Sequence, residues 1–214
     1  IAPDDASDQT VKWSVRNSKL KLYSDKDCTE DHEVGTDATT ILTVYAKGVS
    51  AGSDTVTVTS NENAELTKSC AVTINKGTNP LTFTEAQTVT KSFSASAQTA
   101  TLEAATNGQG AVSYAIDSQK DSLNADVTYF SLNGATLNVA ANTPVGNYTV
   151  VVRATAAGND DYNSARKDST VTIRISKAEN PLTFTEIQTV QKVFDTSAQK
   201  AALEAATNGE GELS

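Results

Sequence analysis

The chain has 214 residues but no methionine, one tryptophan, one histidine, two cysteines and four prolines. Each shortage closes off a class of chemistry. His32 is the sole histidine, and it lies in an acidic, polar stretch, SDKDCTEDHEVGTD, remote from any nucleophile elbow; the sequence contains no G-x-S-x-G. The pair Cys28 and His32 lacks the apolar, orienting surroundings that an activated thiolate needs. Two cysteines permit one disulfide and no cysteine-only metal site. No run of Lys or Arg offsets the net charge of −9, so no nucleic-acid partner is expected, because phosphate binding needs a clustered basic surface. No apolar stretch approaches membrane-spanning length, and Ile1 to Asp5 lack the basic and apolar parts of a signal peptide, so no membrane insertion is expected in this segment. The missing methionine, even at position 1, points to a mature or excised piece whose nearest partners are neighbouring domains of a longer chain.

What the chain has in quantity is Thr, Ser, Ala and Val. Branched Cβ atoms suit a pleated, half-buried surface, and no window keeps apolar residues at helical spacing for four turns. The expectation is an all-β protein. Its organisation is set by a repeat. Pro80 to Ser113 reads PLTFTEAQTVTKSFSASAQTATLEAATNGQGAVS, and Pro181 to Ser214 reads PLTFTEIQTVQKVFDTSAQKAALEAATNGEGELS, identical at 24 of 34 positions with an offset of 101. That period is too long for a solenoid turn and fits one small domain. Three units are expected: 1–75, then a complete one at 76–175, then the opening strands of a second copy at 176–214.

In the first unit, Val11-Lys12-Trp13-Ser14-Val15 alternates with Trp13 inward, as do Lys19 to Tyr23 with Leu20 and Leu22 inward. Further strands are expected at Ile41–Tyr45, Thr55–Thr59 and Ser69–Ile74. V-K-W-S-V, G-V-S-A-G-S-D-T-V-T-V and S-C-A-V-T-I together resemble a bacterial immunoglobulin-like domain of group 2 over residues 11–74. The pattern departs from that family in lacking its first strand and in the long segment 24–37. In the second unit, Asn133-Gly134 is a hairpin signal between Tyr129–Leu132 and Leu137–Val139, with a period-two run from Tyr148 to Ala154 and a last strand through Val171, Ile173 and Ile175. F-S-L-N-G-A-T-L-N-V, T-P-V-G-N-Y-T-V-V-V-R-A-T-A and A-G-N-D-D-Y-N-S-A resemble the cadherin-like and immunoglobulin-like repeats of bacterial surface proteins. The resemblances imply tandem immunoglobulin-like β-sandwiches in an elongated arrangement, with an extracellular or cell-surface location.

Candidate sites are few. Asn159-Asp160-Asp161 is a weak calcium loop or an Asx-rich turn, and the joint K-G-T-N-P and the strand Arg153-Ala154-Thr155 do not carry the cadherin calcium motifs. Cys28, Asp31, His32 and Glu33 share one loop without recognised metal spacing. Glu85 and Glu103 recur as Glu186 and Glu204, which fits a repeated structural role better than a catalytic pair. Lys91 and Asn107 recur as Lys192 and Asn208, as isopeptide partners or as surface residues. A Cys28–Cys70 disulfide would close the long loop of the first unit and stabilise it by roughly 3–4 kcal/mol in the chain-entropy account; otherwise Cys70 is buried and Cys28 partly exposed. For sugar platforms the candidates are Tyr23, Tyr45, Tyr129 and, foremost, Tyr162. No cofactor is expected. The leading reading is a non-enzymatic spacer or presentation segment with stiff, short joints, monomeric or exchanging strands between chains. The alternatives are a carbohydrate- or host-protein-binding module and an accessory domain of a secreted polysaccharide-degrading enzyme, with cell-wall or host glycans or proteins as partners.

Overall fold

A computed structural model describes residues 8–209. The described residues are all-β, apart from one 3-10 turn at Glu30–His32. Its strands are β1 (Val11–Val15), β2 (Leu20–Tyr23), β3 (Tyr45–Gly48), β4 (Gly52–Ser60), β5 (Thr67–Ile74), β6 (Ala86–Ser92), β7 (Gln98–Thr101), β8 (Val112–Asp121), β9 (Phe130–Asn133), β10 (Thr136–Val139), β11 (Gly146–Ala156) and β12 (Ala165–Ser176).

The central unit is a two-sheet sandwich. One sheet runs β6-β12-β11-β8 and the other β7-β10-β9. All pairs are antiparallel except β6, which lies parallel to β12 at the edge. The period-two run does what its alternation dictates: Val150, Val152 and Ala154 of β11 and Val171, Ile173 and Ile175 of β12 point between the sheets and are buried. They meet Phe130, Leu137 and Val139 from the facing sheet. Each buried Val, Ile, Leu or Phe side chain among them stabilises the unit by roughly 1.5–3 kcal/mol. Tyr148 is buried at the start of β11, and its hydroxyl donates to the Pro144 carbonyl at 2.7 Å, the tie across a sandwich corner seen in immunoglobulin-like folds. Burial raises its pKa, with Tyr129 and Asp121 adding to the shift.

The N-terminal unit repeats the later half of this plan. Its sheet runs β1-β4-β5, and the pair β2-β3 packs across it, with Leu20, Leu22 and Val56 buried between. Gly52 opposes Ile74 in the β4–β5 pair as Gly146 opposes Ile175 in β11–β12. Thus β1 to β5 correspond to β8 to β12. Asp54 then occupies the place of Tyr148. It is buried, and its carboxylate accepts the backbone N–H groups of Arg16 (3.0 Å), Asn17 (2.8 Å), Lys19 (2.7 Å) and Thr55 (2.7 Å). Burial alone would raise its pKa; the four donors outweigh that, and the carboxyl titrates below its ordinary value. Two units close the same corner with different chemistry.

Several expectations shift. The third strand is Tyr45–Gly48, not Ile41–Tyr45, because the Ile41 carbonyl is engaged by the Trp13 indole N–H at 2.9 Å rather than by a strand. The β9–β10 turn is centred on Gly134 and Ala135, since Asn133 pairs with Thr136. Gly134 takes φ 59°, the first central position of a type II′ turn. Residues 177–209 contain no strand; one bridge, Thr183 to Thr207, joins them.

Candidate functional site

The residues singled out as calcium or ligand candidates converge on the junction between the first two units. Gly158 adopts φ 77° and reverses the chain after β11. The Asn159 side-chain oxygen then accepts the N–H groups of Asp161 and Tyr162, both at 2.9 Å, closing an Asx turn. This turn aims Asp161 out of its own unit. Its Oδ1 accepts the Ala51 N–H at 2.7 Å, from the turn that begins β4, 110 residues earlier. Its carbonyl accepts the Gly77 N–H at 2.8 Å. Lys76 Nζ donates to the Asn159 carbonyl at 2.6 Å. Asn163 donates through its amide to the carbonyls of Lys76 and Gly77, at 3.2 and 3.3 Å.

A second layer holds this knot against the sandwich. Buried Asn79 donates to the carbonyls of Gln109 (3.0 Å) and Asn163 (2.9 Å) and accepts the Gln109 N–H at 2.9 Å. Gly158 N–H donates to the Gln109 carbonyl at 2.9 Å. The two loops approach so closely that a Cβ on Gly110, which takes φ 81°, would lie 2.0 Å from the Gly158 carbonyl oxygen. A glycine is required there on both counts.

The chemistry of the junction is therefore hydrogen bonding between fixed backbones. Asn159 and Asp161 already use side-chain oxygens in these contacts, and no group of three or more His, Cys, Asp or Glu side chains gathers among the described residues. Tyr162 is half-exposed, with its ring beside Gly77; a Cβ added to that glycine would meet the ring at 3.4 Å. Of the other tyrosines, Tyr23 is buried, Tyr129 packs edge-on against Phe130 and Tyr148, and Tyr45 is exposed on β3.

Elsewhere the candidates do not assemble. The two thiols are free, so the expected Cys28–Cys70 bridge is not formed. Cys28 sits in a tight turn at φ 49°, and Cys70 lies in the middle of β5, exposed, opposite Val56. His32 hydrogen-bonds Thr29 at 2.8 Å, while Glu33 pairs with Lys21 at 2.9 Å. Glu103 and Glu204 each accept the hydroxyl of a nearby threonine, Thr84 and Thr185. Lys91 lies opposite Ile175 where the chain leaves the central unit, whereas Asn107 bonds Thr82 near where it enters.

Two features escaped sequence reasoning. Asp54 is one; an acidic residue at an inward position of a Val/Thr strand is the signal that could have found it. The other is the triad Asp117, Arg153 and Asp168 across the outer face of β8, β11 and β12. Arg153 grips Asp168 through two bonds (2.8 and 2.9 Å) and Asp117 through one (2.6 Å). The guanidinium hydrogen bonds lower the Asp168 pKa. Asp117 reaches it from a bulge between the residues opposite Val151 and Val152.

No helix of the described residues is long and apolar enough to cross a membrane. No family model matches the chain, and no curated protein matches it. Solved structures similar to it include a protocadherin gammaB7 EC3-6 cis-dimer, at 13% identity over 84% of this chain, with a TM-score of 0.35. This chain spans 44% of that one. A chimeric titin Z1Z2 carrying an exogenous decorin peptide is 14% identical over 78% of this chain and 82% of its own, with a TM-score of 0.27. Likeness at that level carries no argument by itself; the immunoglobulin-like sandwich rests on the strand order, the buried faces and the tyrosine tie.

Proposed function

We propose that the chain is a non-enzymatic spacer segment of an extracellular or cell-surface protein of the bacterial type its sequence resembles. The observation that carries this reading is the hydrogen-bonded knot at the junction. In the central unit the chain enters beside Tyr162, next to the start of β12, and leaves at Ser176, its far end. Twelve extended residues separate the two points by roughly 40 Å. In the N-terminal unit the chain likewise leaves at Ile74, opposite Gly52, while β1 begins opposite Ser60. Units that take in and release the chain at opposite ends are strung end to end. A linker of a few residues, clamped by the Asn159–Asn163 loop, then passes orientation from one unit to the next instead of acting as a hinge. The work of such a segment is to hold whatever flanks it at a fixed distance.

Small-angle scattering at low protein concentration, with and without calcium, tests this reading. A long particle of the same dimensions in both conditions is expected. A compact particle, or one that stiffens only with calcium, would refute it.

A further inference from the structure

The chain that enters the central unit and the chain that leaves it run side by side in the same direction. At the joint, Gly77 donates its N–H to the Asp161 carbonyl at 2.8 Å and accepts the Asn163 N–H at 3.0 Å, a parallel bridge to Tyr162. After the crossing at residues 79–85, β6 lies parallel to β12 along its whole length, from Ala86 against Thr170 to Ser92 against Ser176. A backbone bond closes each end of that pair. Thr170 N–H donates to the Glu85 carbonyl at 2.7 Å, and Phe93 N–H to the Ser176 carbonyl at 2.8 Å.

This layout fixes how a pull on the chain is met. The N-terminal unit is attached at the Lys76 end of the run, and the residues that follow the unit are attached at the Ser176 end. Tension between them acts along the strands and draws β6 and β12 in opposite directions, so the ladder bonds are strained together. A pull across the strands at one end would open them one at a time. Forced unfolding is governed by the barrier to unfolding rather than by equilibrium stability, so this alignment decides the strength. Side chains resist the slip as well. Val89 is buried in the core, and Gln87 donates to Ser169 Oγ at 3.1 Å while accepting the Glu103 N–H at 2.7 Å. A slip of one residue would turn both to the opposite face.

We infer that the central unit is a load-bearing module, in which tension along the chain is carried as shear by the parallel β6–β12 pair, with the Gly77–Tyr162 bridge in the same line. This adds a mechanical function to the spacer reading and rests on it for its setting. Backbone alternation assigns the groups involved. Glu85 and Phe93 turn their backbone groups toward β12, and so therefore do Gln87, Val89 and Lys91. Thr90 turns its N–H the other way, off the edge of the sheet.

Single-molecule pulling on the full chain tests the inference, in a Cys28→Ser and Cys70→Ser background with two handles at a time. Handles at Asn75→Cys and Lys177→Cys load the strands lengthwise. Handles at Ala95→Cys and Lys177→Cys, all three positions being exposed, sit just past the paired ends of β6 and β12 and open the same pair end-on. The lengthwise rupture force is expected to be several-fold the end-on force. Lys91→Pro deletes a ladder donor and should lower the lengthwise force roughly twofold. Thr90→Pro, whose lost N–H faces away from β12, should leave it unchanged. Thermal melting of both variants serves as the folding control, and the comparison of directions leaves both strands intact. Equal forces in the two directions, or Thr90→Pro weakening the lengthwise pull as much as Lys91→Pro, would overturn the inference. A compact particle in scattering would instead refute the spacer reading and leave the directional difference standing.

Discussion

The two linkers of this chain are near twins in sequence, and the described residues give them different contacts. Lys76-Gly77-Thr78-Asn79-Pro80 and Lys177-Ala178-Glu179-Asn180-Pro181 have the same length and share Lys, Asn and Pro at the same places. The first is clamped from both sides: Asp161 reaches back to Ala51, Lys76 caps the Asn159 carbonyl, and Asn79 is buried against Gln109 and Asn163. Around the second, Asn180 accepts the Leu182 N–H at 3.2 Å and Phe93, Val145 and Pro181 form a shallow surface. No counterpart of the Asn159–Asn163 loop reaches it among the described residues. At the first joint a late loop of the following unit folds back over the linker, and we propose that this contact, more than the shortness of the linker, sets the stiffness there.

The most damaging way to erase the difference is at the glycine contact under the clamp. Gly110→Ala forces a Cβ into the Gly158 carbonyl at a positive φ, and should cost the central unit about 3 kcal/mol or more in chemical denaturation. Both loops of the knot should lose amide protection with it.

Asp54 sharpens the comparison from the N-terminal side, because it fixes the corner beside Ala51. Asp54→Asn replaces an anionic acceptor of four backbone donors by a weaker one, and should cost that unit about 2 kcal/mol at neutral pH. Because the folded-state pKa is depressed, the stabilisation is fully present above the unfolded-state value. It is lost as pH falls through the lower folded-state value. Acid titration of unfolding should show this loss below about pH 4 in the parent chain and a flatter profile in the variant.

A more selective change is Asp161→Ala. It removes the bond to Ala51 and leaves the Asn159 turn in place, so the central unit should lose less than about 1 kcal/mol while the two units lose their fixed orientation. Gly77→Ala makes the first linker more like the second. The added methyl meets the Tyr162 ring at an ordinary contact distance, and melting should move by no more than about 0.5 kcal/mol equivalent. A large effect there would place the stiffness in the linker after all.

Much of this was legible in the sequence, and what was not has a common cause. The repeat, the all-β class and the inward faces of β1, β2, β11 and β12 follow from local alternation, which burial on one face enforces. The polar ties of the opening segment are local too, which is why residues 181–209 form them even with Leu182, Phe184, Val190 and Leu203 uncovered. The clamp was not legible, because Asp161 and Ala51 are far apart in sequence and each looks like an ordinary turn residue. Asn159-Asp160-Asp161 reads as an Asx-rich turn or a weak calcium loop, and the structure engages Asn159 Oδ1 and Asp161 Oδ1 with backbone N–H groups. Cys28 and Cys70 looked pairable because one lies in the long loop and the other opens the last strand, but both thiols are free here, Cys28 in a tight turn and Cys70 exposed on β5.

The claim that the loop, not the linker, fixes the junction can be measured directly as a distance distribution. Spin labels at Lys12→Cys on β1 and Thr149→Cys on β11, both exposed, in a Cys28→Ser and Cys70→Ser background, report the two units by pulsed dipolar spectroscopy. The account predicts one narrow distribution that broadens when Asp161→Ala is added. A distribution already broad in the parent, or unchanged by Asp161→Ala, would contradict it.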